Sequence, residues 1–163
     1  MELTTSIEDN GSTNIYHAVK EALNMIDSRD DKQRNAAVLL FTDGVPNVSP
    51  PRGEQDSIKK ILNTKGLSCP IHTFGFGYGI KSDLLYDIAK LSNGMNGFIP
   101  DASFVGTIFV NAISNILTTA AVNVKFNLNL PKQSQIGDMF IGDFDHKREN
   151  DSFTINIGLV RYG

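Results

Sequence analysis

The sequence predicts an α/β protein built on an open parallel sheet, followed by a short β-rich unit. Amphipathic helical segments alternate with short apolar runs through the first two-thirds of the chain, as in strands joined by helical crossovers. After Ala121 the apolar period changes to two, which is typical of half-buried antiparallel strands. The chain has 163 residues, of which 40% are hydrophobic, so it can bury a core of domain size.

The first elements are a helix, a buried strand and a second helix. Residues 14–28 predict the first helix because Ile15, Val19 and Leu23 fall on one helical face. Residues 36–41 form a continuous apolar run, which indicates a strand covered on both faces. A loop rich in Pro and Gly, residues 45–53, then leads into a shorter helix.

The same alternation continues to the end of the parallel region. Residues 71–76 predict a second buried strand, residues 81–92 a helix, and residues 97–100 a short third strand. Residues 104–118 then predict a long helix with one strongly apolar face. The parallel sheet therefore needs at least three strands, with helices between them.

The β-rich region begins with a strictly alternating segment, residues 122–130. Two more strand candidates, residues 139–144 and 152–159, are separated by a charged turn over residues 145–151. We accordingly predict two regions, residues 1–119 as the α/β domain and residues 120–163 as part of a β-rich unit.

Charge and cysteine content exclude several functional classes. Charged residues make up 20% of the chain, the net charge is −3, and no basic block is long enough to follow a phosphate backbone, so nucleic acid is not an expected partner. The single cysteine, Cys69, rules out an internal disulfide and favours a reducing compartment. No signal peptide or membrane-spanning stretch is evident, so we expect a cytoplasmic protein without a membrane partner.

Polar residues mark one end of the first predicted strand. The stretch VLLFTDGVPN, residues 38–47, passes from apolar side chains to Thr42 and Asp43 at the carboxyl end of the strand, where ligands bind in open parallel sheets. A second polar cluster, residues 9–14, precedes the first helix and should lie near the same edge. Hydroxyls and carboxylates without a nearby histidine or thiol suit a hard cation such as Mg²⁺.

Each of these residues also has a purely structural interpretation. The hydroxyl of Thr13 could cap the first helix, and Asp43 could be a turn residue before Gly44. We interpret Asp9 and Asp101 as solvated loop residues.

The glycine-rich stretch GFGYG, residues 75–79, follows a strand and precedes a helix. It lacks the spacing of a dinucleotide or P-loop fingerprint, so we interpret its glycines as permitting positive φ in a tight loop. We interpret His72 as a core histidine, and Cys69 shows no sign of activation as a nucleophile.

Several motifs occur in an order that resembles a known family. The chain contains, in sequence, GSTNIYHAV, VLLFTDG, IHTFGFG, DLLYDIAKLSNG, GFIPD and FVGTIFVNAISNIL. Over residues 11–117 this series resembles the later part of a von Willebrand factor type A domain. The resemblance implies a doubly wound, Rossmann-like α/β fold with a metal-ion-dependent adhesion site, in which an acidic group from a protein partner completes the coordination of Mg²⁺. Thr13 and Asp43 match two of the metal ligands.

The β-rich region resembles the segment that follows this domain in intracellular members with RING, U-box or Hint-like neighbours. The leading DxSxS motif of the family has no counterpart here. The resemblance therefore implies a truncated domain that lacks its first strands, with Mg²⁺ binding that is weak or absent. It also implies that residues 38–41 lie at an open edge, through which the chain would self-associate.

The leading functional hypothesis is a protein-interaction module that is not an enzyme and is a fragment of a larger protein. The alternative is a Mg²⁺-dependent α/β hydrolase or phosphotransfer enzyme that uses Asp43. An adhesion-type site needs only oxygen ligands and an open coordination position, whereas an enzyme also needs a nucleophile or a base within hydrogen-bond reach of its substrate.

Overall fold

A computed structural model describes residues 11–31, 34–131, 144, 146–149 and 152–162. The contacts between residues divide the chain into two compact units, and the division falls between Ala112 and Ile113, within the last helix.

The first unit has the predicted alternation of helices and strands. Its elements are α1 (Ile15–Asp27), β1 (Val38–Thr42), α2 (Glu54–Lys65), β2 (Ile71–Phe76), α3 (Ser82–Leu91), β3 (Asn96–Ile99) and α4 (Val105–Leu117), with a 3₁₀ turn over Ala102–Phe104 before α4. The boundaries agree with those predicted from sequence to within a few residues, because each element carries its own apolar periodicity.

The sheet of the first unit is parallel, with strand order β1-β2-β3. Val38 of β1 lies opposite Ile71 of β2, and Thr73 of β2 lies opposite Asn96 of β3. Among the described residues, β1 therefore has a neighbour on one side only. The predicted parallel α/β fold is confirmed, and β1 lies at an edge of the described sheet.

The two faces of this sheet are covered unequally. One face packs against α1, α2 and α3 in a core whose buried members include Val19, Leu23, Ile58, Ile71 and Ile88. The other face has a smaller core, in which Phe74 and Ile99 pack with Ala112 of α4. On that second face Phe41 of β1 stays 46% exposed.

The loop between α3 and β3 passes very close to the central strand. The N–H of Gly94 donates to the carbonyl of Ala89 over 2.8 Å, and the N–H of Thr73 donates to the carbonyl of Met95 over 2.8 Å. A β-carbon on Gly94 would lie 2.0 Å from the carbonyl oxygen of Ile71. Only glycine allows the two backbones to approach this closely.

The second unit contains a three-stranded antiparallel sheet of order β4-β6-β5. Its strands are β4 (Thr119–Asn129), β5 (His146–Glu149) and β6 (Ser152–Arg161). The β4–β6 register shifts between Thr119 and Lys125, and Asn123 has a φ of 56° there. Among the described residues of this unit, Phe153 is a buried aromatic side chain and is stacked against His146.

One prediction for this region is wrong and another lies outside the described residues. Residues 145–151 were expected to form a charged turn, but His146–Glu149 forms β5. All residues of β5 are exposed, so the charged side chains face water from an edge strand. Most of the expected strand over residues 139–144 falls outside the described residues, and Phe144 is not in a strand.

Two further residues behave as the sequence indicates. His72 is buried, and its Nδ1 accepts a hydrogen bond from the N–H of Met95 over 3.0 Å, as expected of a core histidine. Cys69 is also buried, and this burial raises the pKa of its thiol to about 11. The thiol is therefore protonated near neutral pH and is a poor nucleophile.

Within the described ranges, no helix is long and apolar enough to cross a bilayer.

Candidate functional site

The candidate site lies at the carboxyl end of β1, where the chain enters the loop before α2. Thr42 ends the strand, and its hydroxyl donates to the carbonyl of Gly44 over 3.2 Å, which bends the chain at Asp43. Asp43 is exposed at this bend. The carboxylate of Asp43 makes no hydrogen bond or ion pair with any residue that the structure describes.

The loop before α1 lies against the same bend. A β-carbon on Gly44 would lie 3.6 Å from the hydroxyl oxygen of Thr13, so the Thr13 side chain is next to the Asp43–Gly44 peptide. The structure thus brings together the two residues that the sequence singled out. They are 30 positions apart in the chain. They meet because the carboxyl end of a parallel strand and the N-terminus of a crossover helix lie at the same edge of the sheet.

Asn47 holds the two loops together, a role that no sequence pattern indicated. Its side-chain oxygen accepts a hydrogen bond from the N–H of Thr13 over 2.8 Å, and its side-chain nitrogen donates to the carbonyl of Gly11 over 3.3 Å. Its own N–H donates to the carbonyl of Thr13 over 3.0 Å. An asparagine can satisfy several backbone groups at once, which makes it well suited to fixing loops.

The capping interpretation of Thr13 is wrong. Asn14 is the N-cap of α1, and its side-chain oxygen accepts a hydrogen bond from the N–H of His17 over 2.8 Å. The Thr13 hydroxyl therefore does not cap the helix, and it makes no hydrogen bond within the described part of the chain. It remains available for a ligand at the bend.

A second contact fixes the far end of the β1–α2 loop. The hydroxyl of Ser49 donates to the carboxylate of Glu54 over 2.5 Å. Glu54 is buried in the first turn of α2, where the helix dipole stabilises a carboxylate. Asn47 thus ties the β1–α2 loop to the loop before α1, and Glu54 ties it to α2. These contacts hold the backbone on both sides of Asp43 in place.

The glycines of residues 75–79 serve packing and turn geometry. A β-carbon on Gly75 would lie 2.2 Å from Cδ1 of Ile80, so this position admits only glycine without a shift of Ile80. Gly77 has a φ of 72°, as expected for a tight loop between strand and helix.

Among the described residues, the bend offers few oxygen ligands for Mg²⁺. Thr13 and Asp43 supply one hydroxyl and one carboxylate. Across the described residues there is no group of three or more His, Cys, Asp or Glu side chains that could hold a metal ion. Mg²⁺ demands octahedral oxygen coordination, and so small a ligand set leaves most positions to water. Asp9 lies outside the described residues.

A solved structure has the same architecture as this chain. It is a von Willebrand factor type A protein from Catenulispora acidiphila, matched with a TM-score of 0.70 at 16% sequence identity. The chain has a von Willebrand A-type fold. The match covers 96% of this chain and 38% of the solved one, so this chain spans well under half of the length of that protein. No family model matches the sequence, and no curated protein is significantly similar to it.

The fold predicted from the ordered motifs is therefore confirmed. In the von Willebrand A-type fold of this chain, Thr13 and Asp43 occupy neighbouring loops at the carboxyl end of β1. The expected RING, U-box or Hint-like neighbours and the two predicted domain boundaries remain predictions.

Proposed function

We propose that this chain is a protein-interaction module whose contact surface is the bend formed by Thr13, Asp43 and Asn47. The observation that carries the proposal is the juxtaposition of the Thr13 hydroxyl with the Asp43–Gly44 peptide in a von Willebrand A-type fold. An exposed carboxylate and an unused hydroxyl on two tied loops form a polar surface that is fixed before a partner arrives. Such preorganisation lowers the entropy cost of binding.

Mg²⁺ has a minor part in this proposal. Thr13 and Asp43 are the residues that would touch the ion, and an acidic side chain of the partner would complete its coordination. With one carboxylate and one hydroxyl from the chain, that contribution is weak or absent. The partner contact then depends mainly on direct hydrogen bonds to Asp43 and Thr13.

We also propose that the chain is not an enzyme. Hydrolysis or phosphotransfer at Asp43 would need a second group within hydrogen-bond reach to move a proton. The Asp43 carboxylate makes no hydrogen bond or ion pair with the described residues, and the Cys69 thiol is buried with a raised pKa. Turnover of a phosphate ester with Mg²⁺ that disappears in Asp43→Asn would favour the hydrolase or phosphotransfer alternative.

Affinity enrichment from a cell extract tests the interaction role of the bend. Proteins retained by the immobilised wild-type chain should be lost with Asp43→Ala and with Asn47→Ala, because the first removes the contact group and the second releases the two loops. We expect at least a tenfold loss, since one buried hydrogen bond to a charged group is worth about 1.5–3 kcal/mol. Quantitative mass spectrometry of the eluates provides the measurement.

Asp30→Ala is the matched control, since Asp30 is also an exposed loop aspartate but lies away from the bend. It should leave the retained set unchanged. If the same proteins bind wild type and both bend variants equally well, the contact surface lies elsewhere.

Isothermal titration with Mg²⁺ tests the ligand set directly. We expect no saturable binding up to about 1 mM, because a partial octahedral set with one carboxylate does not displace enough hydration water. Asp43→Ala and wild type should give the same heats. A stoichiometric isotherm that vanishes in Asp43→Ala but persists in Asp30→Ala would mean that further ligands exist.

A further inference from the structure

Ser49 lies in the β1–α2 loop within a sequence pattern that the proposed function does not use. The local sequence is Ser49-Pro50-Pro51-Arg52, and Ser49 is the only serine or threonine of the sequence that proline follows. A hydroxyl residue followed by proline, with a basic residue three positions after the hydroxyl, is the substrate pattern of proline-directed protein kinases. Proline lacks an N–H and biases the residue before it towards an extended backbone, the form in which a kinase cleft binds its substrate.

The structure exposes this segment. All of residues 49–52 except the half-buried Pro50 are exposed. Their backbone makes one hydrogen bond within the described part of the chain, in which the N–H of Gly53 donates to the carbonyl of Pro50 over 2.9 Å. Because so little holds these four residues, a kinase can draw them into its cleft without unfolding a helix or a strand.

The hydroxyl of Ser49 holds the loop against α2. It donates to the carboxylate of Glu54 over 2.5 Å, and Glu54 is 6% exposed. The Glu54 side chain makes no other hydrogen bond or ion pair with the residues that the structure describes. Phosphorylation replaces the hydroxyl proton of Ser49, so the donor is lost, and it places about two negative charges beside a buried carboxylate. A phosphate in that position disrupts the contact by repulsion and by the cost of desolvation.

The N-terminus of α2 does not compensate for this repulsion. A phosphate is stabilised at a helix N-terminus where the positive end of the helix dipole faces it. The first turn of α2 already carries two carboxylates, Glu54 and Asp56, which reduce the positive potential of this helix end. A phosphate on Ser49 adds to that negative charge, so repulsion decides the outcome.

We propose that Ser49 is a phosphorylation site for a proline-directed serine/threonine kinase and that its phosphorylation releases the β1–α2 loop from α2. The Ser49 oxygen attacks the γ-phosphorus of a nucleoside triphosphate, an O–P bond forms, and the bond to the departing nucleoside diphosphate breaks. The hydroxyl proton passes to the catalytic aspartate of the kinase. Asn47 lies two residues before Ser49, so the released segment includes the residue that ties this loop to Thr13.

The effect of this release on partner binding rests on the proposed function, whereas the phosphorylation site does not. Phosphate incorporation and amide exchange are both measured without a partner protein. Partner binding that is lost in Asp43→Ala, together with a wild-type chain that is not phosphorylated, would reject this inference alone. Phosphorylation with release of the loop, together with partner binding that ignores the bend, would reject only the proposed function.

Phosphate transfer in vitro tests the site. The wild-type chain is incubated with a purified cyclin-dependent kinase, Mg²⁺ and ATP, and intact mass spectrometry follows the reaction. We expect one phosphoryl group per chain, and none in Ser49→Ala. Arg52→Ala should slow the reaction about tenfold or more because it removes the basic residue, whereas Arg52→Lys should react at nearly the wild-type rate. Ser68→Ala is the matched control and should react like wild type, since Ser68 is also an exposed loop serine but is followed by Cys69.

Amide hydrogen exchange tests the release of the loop. In the phosphorylated chain the N–H groups of Asn47 and Gly53, which donate to backbone carbonyls in the tied loop, should exchange at least about tenfold faster. Residues 82–91 of α3 should keep their rates. Glu54→Gln separates charge from bulk, because its neutral amide does not repel a phosphate and can donate to it. Phosphorylation of that variant should change the exchange of the loop less than about twofold.

Four outcomes would overturn the proposal. For the site, they are a wild-type chain that incorporates no phosphate, and incorporation by Ser49→Ala equal to that of wild type. For the recognition of the basic residue, it is an Arg52→Ala variant that reacts as fast as wild type. For the release of the loop, it is an exchange that phosphorylation leaves unchanged or that rises equally in Glu54→Gln.

Discussion

Replacing Gly94 by alanine should destabilise the first unit more than almost any other single change. The added methyl group would lie 2.0 Å from the carbonyl oxygen and 2.5 Å from the carbonyl carbon of Ile71, both in the backbone of the central strand β2. No side-chain rotation relieves this clash, so β2 or the α3–β3 loop must move. We expect a loss of roughly 3 kcal/mol or more from a total stability of about 5–15 kcal/mol.

Urea unfolding followed by circular dichroism measures this loss. Gly106→Ala is the matched control, because a β-carbon there meets no atom within 4 Å and Gly106 lies within helix α4. Alanine at that position should be neutral or stabilise the chain by up to about 1 kcal/mol. Equal midpoints for Gly94→Ala and wild type would show that the loop does not lie against β2.

Phe74→Ala should have the second largest effect. Phe74 is 1% exposed and forms the centre of the smaller core with Ile99 and Ala112, with the Phe41 ring stacked on it. Truncation removes the buried ring and leaves a cavity that a parallel sheet cannot easily close. We expect a loss of about 3–5 kcal/mol in the free energy of unfolding.

Phe98→Ala provides the comparison, since Phe98 lies on the neighbouring strand but is 44% exposed. It should cost about 1 kcal/mol or less.

Gly97 adds a test of geometry, because a β-carbon there would lie 2.7 Å from Cδ1 of Phe74. Gly97→Ala should therefore be harmful in wild type and tolerated in Phe74→Ala. Additive effects of these two changes would contradict the packing of Phe74 against Gly97.

The helices and parallel strands were predictable because each carries a regular apolar pattern that its burial requires. The helix face of Ile15, Val19 and Leu23 is buried in the structure, as is almost all of β2. β5 was missed because an exposed edge strand has no apolar period to detect. Pattern reasoning finds elements that pack and overlooks those that face water.

The candidate site was predictable only in part. Asp43 could be predicted from its position at the carboxyl end of a buried strand. Thr13 could be predicted because its motif resembles that of the von Willebrand A-type family. Asn47 could not be assigned, because its role depends on a hydrogen bond to Thr13 across 34 positions of the chain. The cap of α1 is Asn14, whereas the structural alternative for Thr13 placed it one residue earlier. Adjacent polar residues offer the same capping chemistry, so the sequence does not distinguish them.

The parallel pairing of β1 has a consequence for the growing polypeptide on the ribosome. Val38 pairs with Ile71, so the partner of β1 is synthesised about 33 positions later. At about 5–20 residues per second, the strand VLLFT emerges from the ribosome roughly 2–7 s before β2 emerges. During that interval both of its edges are open and its side chains are uncovered, which makes this segment a natural binding site for a chaperone during translation.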